Sequence, residues 1–567
     1  MNSNSALLAD LAERYWRFEC YEMPLAAALA GQTLADAVLF RESQVDHQRR
    51  DRIAGELLTG LWAINAADLS AQERATLRLL QRELDGVRSQ FHVLAHLRPS
   101  LLPLGPDFMA VYWANATNIP DLAAAELYVA RLAGIPAYLR DVQANIEAAQ
   151  TMGICIPRSV RDGAMANSSN ILSMPVETSP WLGPFRRSPA VAQPKVQAQA
   201  DAALVLVRGS LQAALLAWSS FLAELAVSET LSCVQGPQGE DFYRVLVRNF
   251  SNGELTPAQI HDLGLQEVQR LLGEMENVAV KAGYAADLPG YRAFLASDPQ
   301  FLAKDAGELL RSMESLCKRI DKRIPAFFGR IPRITYGVES IPVAMSSQLP
   351  PAYAQPSPAD GSGPGIFWVT GLPAKCPSYL HPAMALHEAW PGHLMHMALM
   401  NEQIELPTFR RFGAVKYTAC VEGWALYCET LGIEMGMYTT PHEHYGRLEM
   451  EMWRAVRLVV DTGIHLHHWS RDQAIDYMVG NLTLSRATVE AEVDRYASLP
   501  AQALGYQIGN LKLRELRQRA ENKLGARFSH RSFHEAVMTA GAVTLPVLED
   551  LVVDWLDAQN VAGQAGN

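Results

Sequence analysis

Leu386-His387-Glu388-Ala389-Trp390-Pro391-Gly392-His393-Leu394 is the stretch on which the reading of this chain turns. It opens with His-Glu and returns a second His after a Pro-Gly. In the zinc-peptidase pattern H-E-x-x-H, two histidines one helical turn apart bind zinc, and the Glu acts as general base on the water held there. Here two residues are pushed in before the second His. His387 and His393 would sit about 240° apart around a regular helix, too far round to share one ion. Pro391 lacks an N–H and clashes with the preceding turn, and Gly392 tolerates unusual dihedrals. The helix is therefore expected to break or bulge there, which brings the two rings back together. A helix end followed by a turn, with no metal, is the plainer alternative. Trp390, Leu394 and Met395 read as packing.

A second stretch, Val421-Glu422-Gly423-Trp424-Ala425-Leu426-Tyr427-Cys428-Glu429, follows. It reads as an apolar helix with two carboxylates on one face. Buried unpaired, those carboxylates would be costly. A His₂Glu zinc site takes its third ligand from such a following helix, so Glu422 is assigned as ligand with His387 and His393. Glu429 is assigned as the carboxylate behind the site that orients a ligand histidine. An ordinary solvated helix position is the alternative for Glu429.

With these two motifs the chain resembles the bacterial domain-of-unknown-function 885 family, which shows H-E-x-x-P-G-H followed by E-G-W-A-x-Y-x-E. Supporting matches are Asp241-Phe242-Tyr243, Glu254-Leu255-Thr256-Pro257, Arg457 to Gly463, Arg495-Tyr496 and Pro500 to Tyr506. The resemblance implies a metallopeptidase-like protein, similar in general plan to the angiotensin-converting-enzyme and Taq carboxypeptidase families. The implied fold is mainly α, a large helical zincin-like body with a deep cleft and a small β-sheet next to the metal-binding helix. Residues 1–235 would form an N-terminal helical subdomain and 236–567 the metal-binding catalytic subdomain. The family pattern reads Pro-Gly-Gln and Tyr-Lys where this chain has Pro500-Ala501-Gln502 and Tyr506-Gln507.

Composition is that of an ordinary globular protein, 49% hydrophobic and 19% charged over 567 residues. The net charge of −11 and the lack of basic runs exclude a nucleic-acid partner from the expectation. Seven scattered Cys, none in a C-x-x-C pair, read as reduced thiols of a cytoplasmic protein. Cys420 and Cys428 read as space-filling rather than as soft metal ligands. Met1 to Ser5 carries no charged n-region, so no signal peptide is expected. The apolar stretch from Ala202 to Val227 contains Arg208 and Glu224 and reads as a buried helix, with no membrane partner.

Along the chain, a helix is expected from Ser70 to about Arg88, with Glu73 at capping-box spacing. Pro120-Asp121 opens another to about Met152, kinked at Pro136. Pro157 begins a short segment, and five prolines between Ile171 and Gln197 mark a long loop before helix resumes near Gln199. Further helices are expected from Thr256-Pro257 and over Asp305–Ile324. Residues 333–338 and 365–370 read as strands, the second offering its edge to a peptide, with Pro350 to Pro364 as a covering or plain loop. Arg447 to Trp469 reads as one helix. Arg457, Asp461 and His465 share its face, either as a buried structural group or as part of the site, with Asp461 behind the metal. His467 and His468 read as surface residues, and His442 and His444 as turn residues without partners.

These residues suggest a zinc-dependent hydrolase of peptide or amide bonds in small substrates, dipeptidase- or carboxypeptidase-like. Glu388 is its general base. Tyr506, or else His465, stabilises the oxyanion. Arg457 or Arg495 pairs with a substrate carboxylate. A metal-dependent tailoring enzyme acting on a small metabolite and a non-catalytic helical metal-binding protein are the alternatives. A closed structural zinc usually has four protein ligands, and three are found here.

Overall fold

Ser70 caps the helix expected after it. Its hydroxyl accepts from the Glu73 N–H, and the Glu73 carboxylate accepts from the Ser70 N–H at 2.8 Å. The computed structural model describes residues 3–32, 39–285, 287–346 and 349–565, so Met1 and Asn2 of the N-terminal stretch lie outside it. The chain is mainly helical with a small sheet. The helices that matter below begin with α1 (Ser3–Glu22) and α2 (Ala71–His92).

The segment expected as one kinked helix forms two, α3 (Leu122–Leu132) and α4 (Ile135–Thr151). The break falls at Ala133-Gly134, which leaves Pro136 in a first turn where its missing N–H does no harm. The segment after Pro157 is a full helix, α5 (Arg158–Ser173). The proline-rich stretch is no plain loop. It folds as single turns over 176–178, 180–182, 183–187 and 189–192, three of them opening with proline near the first position. Helix resumes five residues earlier than expected, in α6 (Pro194–Leu206), and continues through a π-turn into α7 (Gln212–Glu224). That segment is buried along one stripe only, through Val196, Ala203, Val207, Leu211, Leu215, Trp218 and Leu222, while Val205 and Leu216 face outwards. By length and composition, 122–151 and 194–224 could each cross a membrane. Here each lays one face on the core.

Among the helices that follow are α8 (Pro257–Lys281), with a Thr256/Gln259 capping box, and α9 (Ala306–Asp321), capped by Asp305. Three strands come next, β1 (Tyr336–Ser340), β2 (Ala352–Gln355) and β3 (Gly365–Val369). β3 is central, parallel to β1 and antiparallel to β2. This corrects the expectation that 365–370 offers its edge to a peptide, because both its edges are already paired. The open edges of this sheet belong to β1 and β2. The segment from Pro350 to Pro364 reads as loop because it is rich in Pro, Gly, Ser and Ala. Pairing supplies what propensity does not: Tyr353 lies opposite Trp368, whose Nε1 donates to Gln355 at 2.9 Å.

The later helices used below are α10 (His381–Glu388), α11 (His393–Asn401), α12 (Thr418–Leu431), α13 (Pro441–His465), α14 (Arg486–Ser498) and α15 (Gly505–Leu524). α13 starts six residues before the expected Arg447, because Thr440 and Glu443 form a capping box around Pro441. His442 and His444 therefore lie in its first turn, and His442 Nδ1 meets the Tyr291 hydroxyl at 2.7 Å. The helix ends at His465, and His467 and His468 are exposed as expected.

The division at 235/236 does not follow the packing. One large apolar cluster joins Leu8 and Leu80 to Leu386, Trp424 and Leu513, and the other joins Trp113 and Trp218 to Leu271 and Val456. Both halves of the chain bury apolar faces against each other in these clusters.

Candidate metal centre

The helix breaks where Pro391-Gly392 predicts. α10 ends at Glu388, the Trp390–Pro391 peptide is cis, and α11 begins at His393. The chain doubles back so tightly that a Cβ on Gly392 would lie 2.5 Å from the Leu386 carbonyl oxygen and 1.9 Å from that of His387. The Trp424 indole N–H donates to the Pro391 carbonyl at 2.9 Å and ties the break to α12. Gly423, beside it, lets α12 and α15 touch: a Cβ there would be 2.4 Å from the Gly509 carbonyl carbon.

This brings His387, His393 and Glu422 together, with ligand atoms within 4.8 Å of one another. Glu422 Oε2 lies 3.4 Å from His387 Nε2 and 3.2 Å from His393 Nε2. A tetrahedral zinc with bonds of about 2.0–2.1 Å spaces its ligands roughly 3.3 Å apart, so these distances fit. Glu422 Oε2 is buried and finds no well-aligned hydrogen bond, although two imidazoles face it. Three donors that converge without satisfying one another suit a shared cation. His396, the other candidate for second histidine, is not in this group. It is buried beside Trp424, and burial, with the His393 charge, lowers it to about 3.

Behind the group, His387 Nδ1 donates to Glu429 Oε1 at 2.8 Å, which turns Nε2 towards Glu422. Glu429 is fully buried, and the Tyr438 hydroxyl holds its backbone carbonyl at 2.7 Å. Burial alone would lower the His387 imidazole. The facing carboxylates of Glu422 and Glu429, with the charge of Glu388, outweigh it and hold the ring at about 9. Burial would raise Glu422, but the His393 charge and the facing imidazoles keep it well below the usual carboxylate range. Glu388 follows His387 directly and is half-buried. Cys420 and Cys428 are buried in α12 outside the donor group, with thiols pushed up by burial.

The face shared by Arg457, Asp461 and His465 serves other ends. Asp461 accepts from the Tyr243 hydroxyl at 2.7 Å and the Ala501 N–H at 2.9 Å, so it is not placed behind a ligand histidine. His465 Nδ1 accepts from the Cys233 N–H at 3.1 Å and Nε2 donates to the Tyr496 carbonyl at 3.1 Å. Burial lowers it to about 4. A neutral ring with both nitrogens committed has no donor left for an oxyanion, which corrects its assignment as the second choice for that role. Arg457 Nη2 and Arg495 Nη1 both donate to Glu492, at 3.0 Å each. Tyr506 is half-buried, with the Arg457 guanidinium 4.5 Å from its ring centroid.

The two departures at the C-terminal motif have local explanations. Ala501 stands at φ +67°, a conformation costing roughly 1–2 kcal/mol outside glycine, and its buried methyl offsets about 0.8 of that. Gln507 is fully buried and donates to Glu267 Oε2 at 2.9 Å, so this position faces an internal acid.

The family model described as a bacterial protein of unknown function, DUF885, matches residues 24–552. The chain belongs to this family. No curated protein matches it. Among solved structures, it is similar to a candidate lipoprotein from Colwellia psychrerythraea, at 26% identity and a TM-score of 0.90, covering 98% of this chain and 100% of that one. It is also similar to a candidate lipoprotein of unknown function from Shewanella oneidensis, at 17% identity and a TM-score of 0.73, covering 96% and 99%. The second likeness concerns the DUF885 fold alone. Tyr438, which steadies Glu429, lies outside both metal motifs and could not be singled out from spacing. Trp424 stood inside its motif, but its bond to Pro391 needed the fold.

Proposed function

We propose that this DUF885 protein is a zinc-dependent hydrolase of peptide or amide bonds in small substrates, with a zincin-like site in a cleft. The convergence of His387, His393 and Glu422, with Glu429 behind His387, carries the reading. Zinc, when bound, polarises a carbonyl and acidifies water. Glu388 takes the proton of the attacking water and passes it to the leaving amine. Tyr506 donates to the developing oxyanion. The open edge of β2 or β1 holds an extended substrate by strand addition.

Among the described residues only three donors converge, and the nearby thiols are not among them, which favours an open site over a closed structural one. A tailoring enzyme acting on a metabolite amide would use the same groups. We keep the cytoplasm as the proposed location, since all seven cysteines are free thiols. The Colwellia protein's description as a candidate lipoprotein favours the cell envelope instead, and fractionation decides between them.

The test compares wild type with Glu388→Gln, which keeps size and hydrogen bonding but cannot accept a proton at neutral pH. Dipeptides and tripeptides with free and blocked ends are the substrates. Expected are near-normal zinc content in both proteins and loss of most cleavage in the variant. Cleavage undiminished by the substitution would place the catalyst elsewhere.

A further inference from the structure

Trp453 and Arg457 stand one turn apart on α13, and neither belongs to a metal motif. The Arg457 guanidinium lies between two rings, its carbon 4.8 Å from the Trp453 centroid and 4.5 Å from that of Tyr506. Nε donates to the Tyr496 hydroxyl at 3.2 Å and Nη2 to Glu492 at 3.0 Å. Nη1 and the indole Nε1 of Trp453 are both buried without a hydrogen-bond partner among the described residues. Buried donors are normally paired, because leaving one unmade costs its desolvation.

Charge points the same way. Arg457 and Arg495 share the single acid Glu492, which leaves one positive charge over. Neighbouring Arg454, also buried, donates only to the carbonyl oxygen and sulfur of Met450 among the described residues. Asp461, the other acid of this region, spends both oxygens on Tyr243 and Ala501. Arg495 is not available, since Nη1 is held by Glu492 and Nη2 by Gln502.

We propose that Arg457 Nη1 and Trp453 Nε1 form a subsite for the free C-terminal carboxylate of a short peptide substrate. Two separate donors and a local excess of positive charge match a carboxylate with two oxygens. The rings of Trp453 and Tyr506 hold the guanidinium in place, so little side-chain freedom is lost on binding. The fold ties the subsite to the metal group. On α15, Tyr506 is one turn from Gly509, whose Cβ would lie 1.7 Å from the Ala419 carbonyl on α12. Glu422 is one turn past Ala419 on α12. The inference rests on the proposed hydrolase reading and deepens it to substrates with a free carboxyl end.

The experiment measures binding, so it does not depend on turnover. N-acetyl-glycyl-leucine and its C-terminal amide are titrated calorimetrically against full-length Glu388→Gln protein, zinc-loaded and metal-stripped. The acid should bind about ten- to a hundredfold tighter than the amide, the range of one or two charge-assisted hydrogen bonds. Arg457→Met should abolish that preference, and Trp453→Phe, which keeps a ring but removes the donor, should cut it about three- to tenfold. Equal binding of acid and amide, no binding of the acid, tighter binding of inorganic phosphate, or a preference that survives Arg457→Met would overturn the subsite. Should Arg457→Met fail to fold, an unchanged preference in Trp453→Phe does so. Failure of the hydrolase reading shows separately, as absence of cleavage by wild type with the acid preference intact.

Discussion

A Cβ on Gly392 would lie 1.9 Å from the carbonyl oxygen of His387. That contact is with backbone and cannot be relieved by turning a side chain. Gly392→Ala must push α11 away from α10 and carry His393 out of the donor group. We expect the variant to fold with most of its helix content by circular dichroism and to lose most of its zinc by metal analysis. Full zinc content in a folded Gly392→Ala protein would refute the shared site.

In the proposed centre Glu429 would act on the metal only through His387, to which it is hydrogen-bonded. Glu429→Gln can still accept from Nδ1–H, so the ring keeps its orientation, but it loses the charge that makes the imidazole a better ligand. Zinc affinity measured by chelator competition should fall about tenfold, and Glu429→Ala should approach a hundredfold. Unchanged affinity in both would mean that His387 does not bind the metal.

Tyr506→Phe should lower turnover about a hundredfold to a thousandfold with zinc content unchanged. His465→Phe should act on stability instead. It strips partners from the Cys233 N–H and the Tyr496 carbonyl, each a buried group whose loss costs roughly 1–3 kcal/mol. Full turnover in Tyr506→Phe would remove the phenol from the mechanism.

Burial raises Asp461 from its ordinary value of 3.8 to about 7, against the hydrogen bonds from Tyr243 and Ala501 and the Arg495 charge. Tyr243 packs on the His465 ring, and Cys233 is the other titratable group facing it. The folded state holds this proton more tightly than the unfolded chain. Its contribution to stability is therefore complete below about pH 4 and is lost as pH rises to 7, up to about 4 kcal/mol in all. Urea midpoints should fall between pH 5 and pH 7.5 in wild type, and the fall should shrink in Asp461→Asn. An equal fall in both proteins would assign the pH dependence to other groups.

Much of the helical plan was legible because helix ends are local. The Ser70/Glu73 and Thr256/Gln259 boxes lie within one turn of the helices they start. The Thr440/Glu443 box is equally local, and it starts α13 six residues before Arg447 and puts His442 in its first turn. β2 was not legible, since Ala-Tyr-Ala-Gln becomes a strand only through pairing with β3. In the candidate centre, His387, His393, Glu422 and Glu429 could be chosen from residue type and order. Asp461 and His465 were grouped with them because they share a helix face, and a face says nothing about what packs against it.

The sequence by itself determined much of the helical plan and the break at Pro391-Gly392, because each depends on residues within a turn or two of one another. Only the tertiary structure decided which polar groups are already spent. His465 is taken by Cys233, 232 positions away, and Asp461 by Tyr243, 218 positions away. Arg457 Nη1 and Trp453 Nε1, by contrast, have no hydrogen-bond partner among the described residues. Whether a buried donor has a partner depends on segments that folding brings beside it, and no local pattern encodes that.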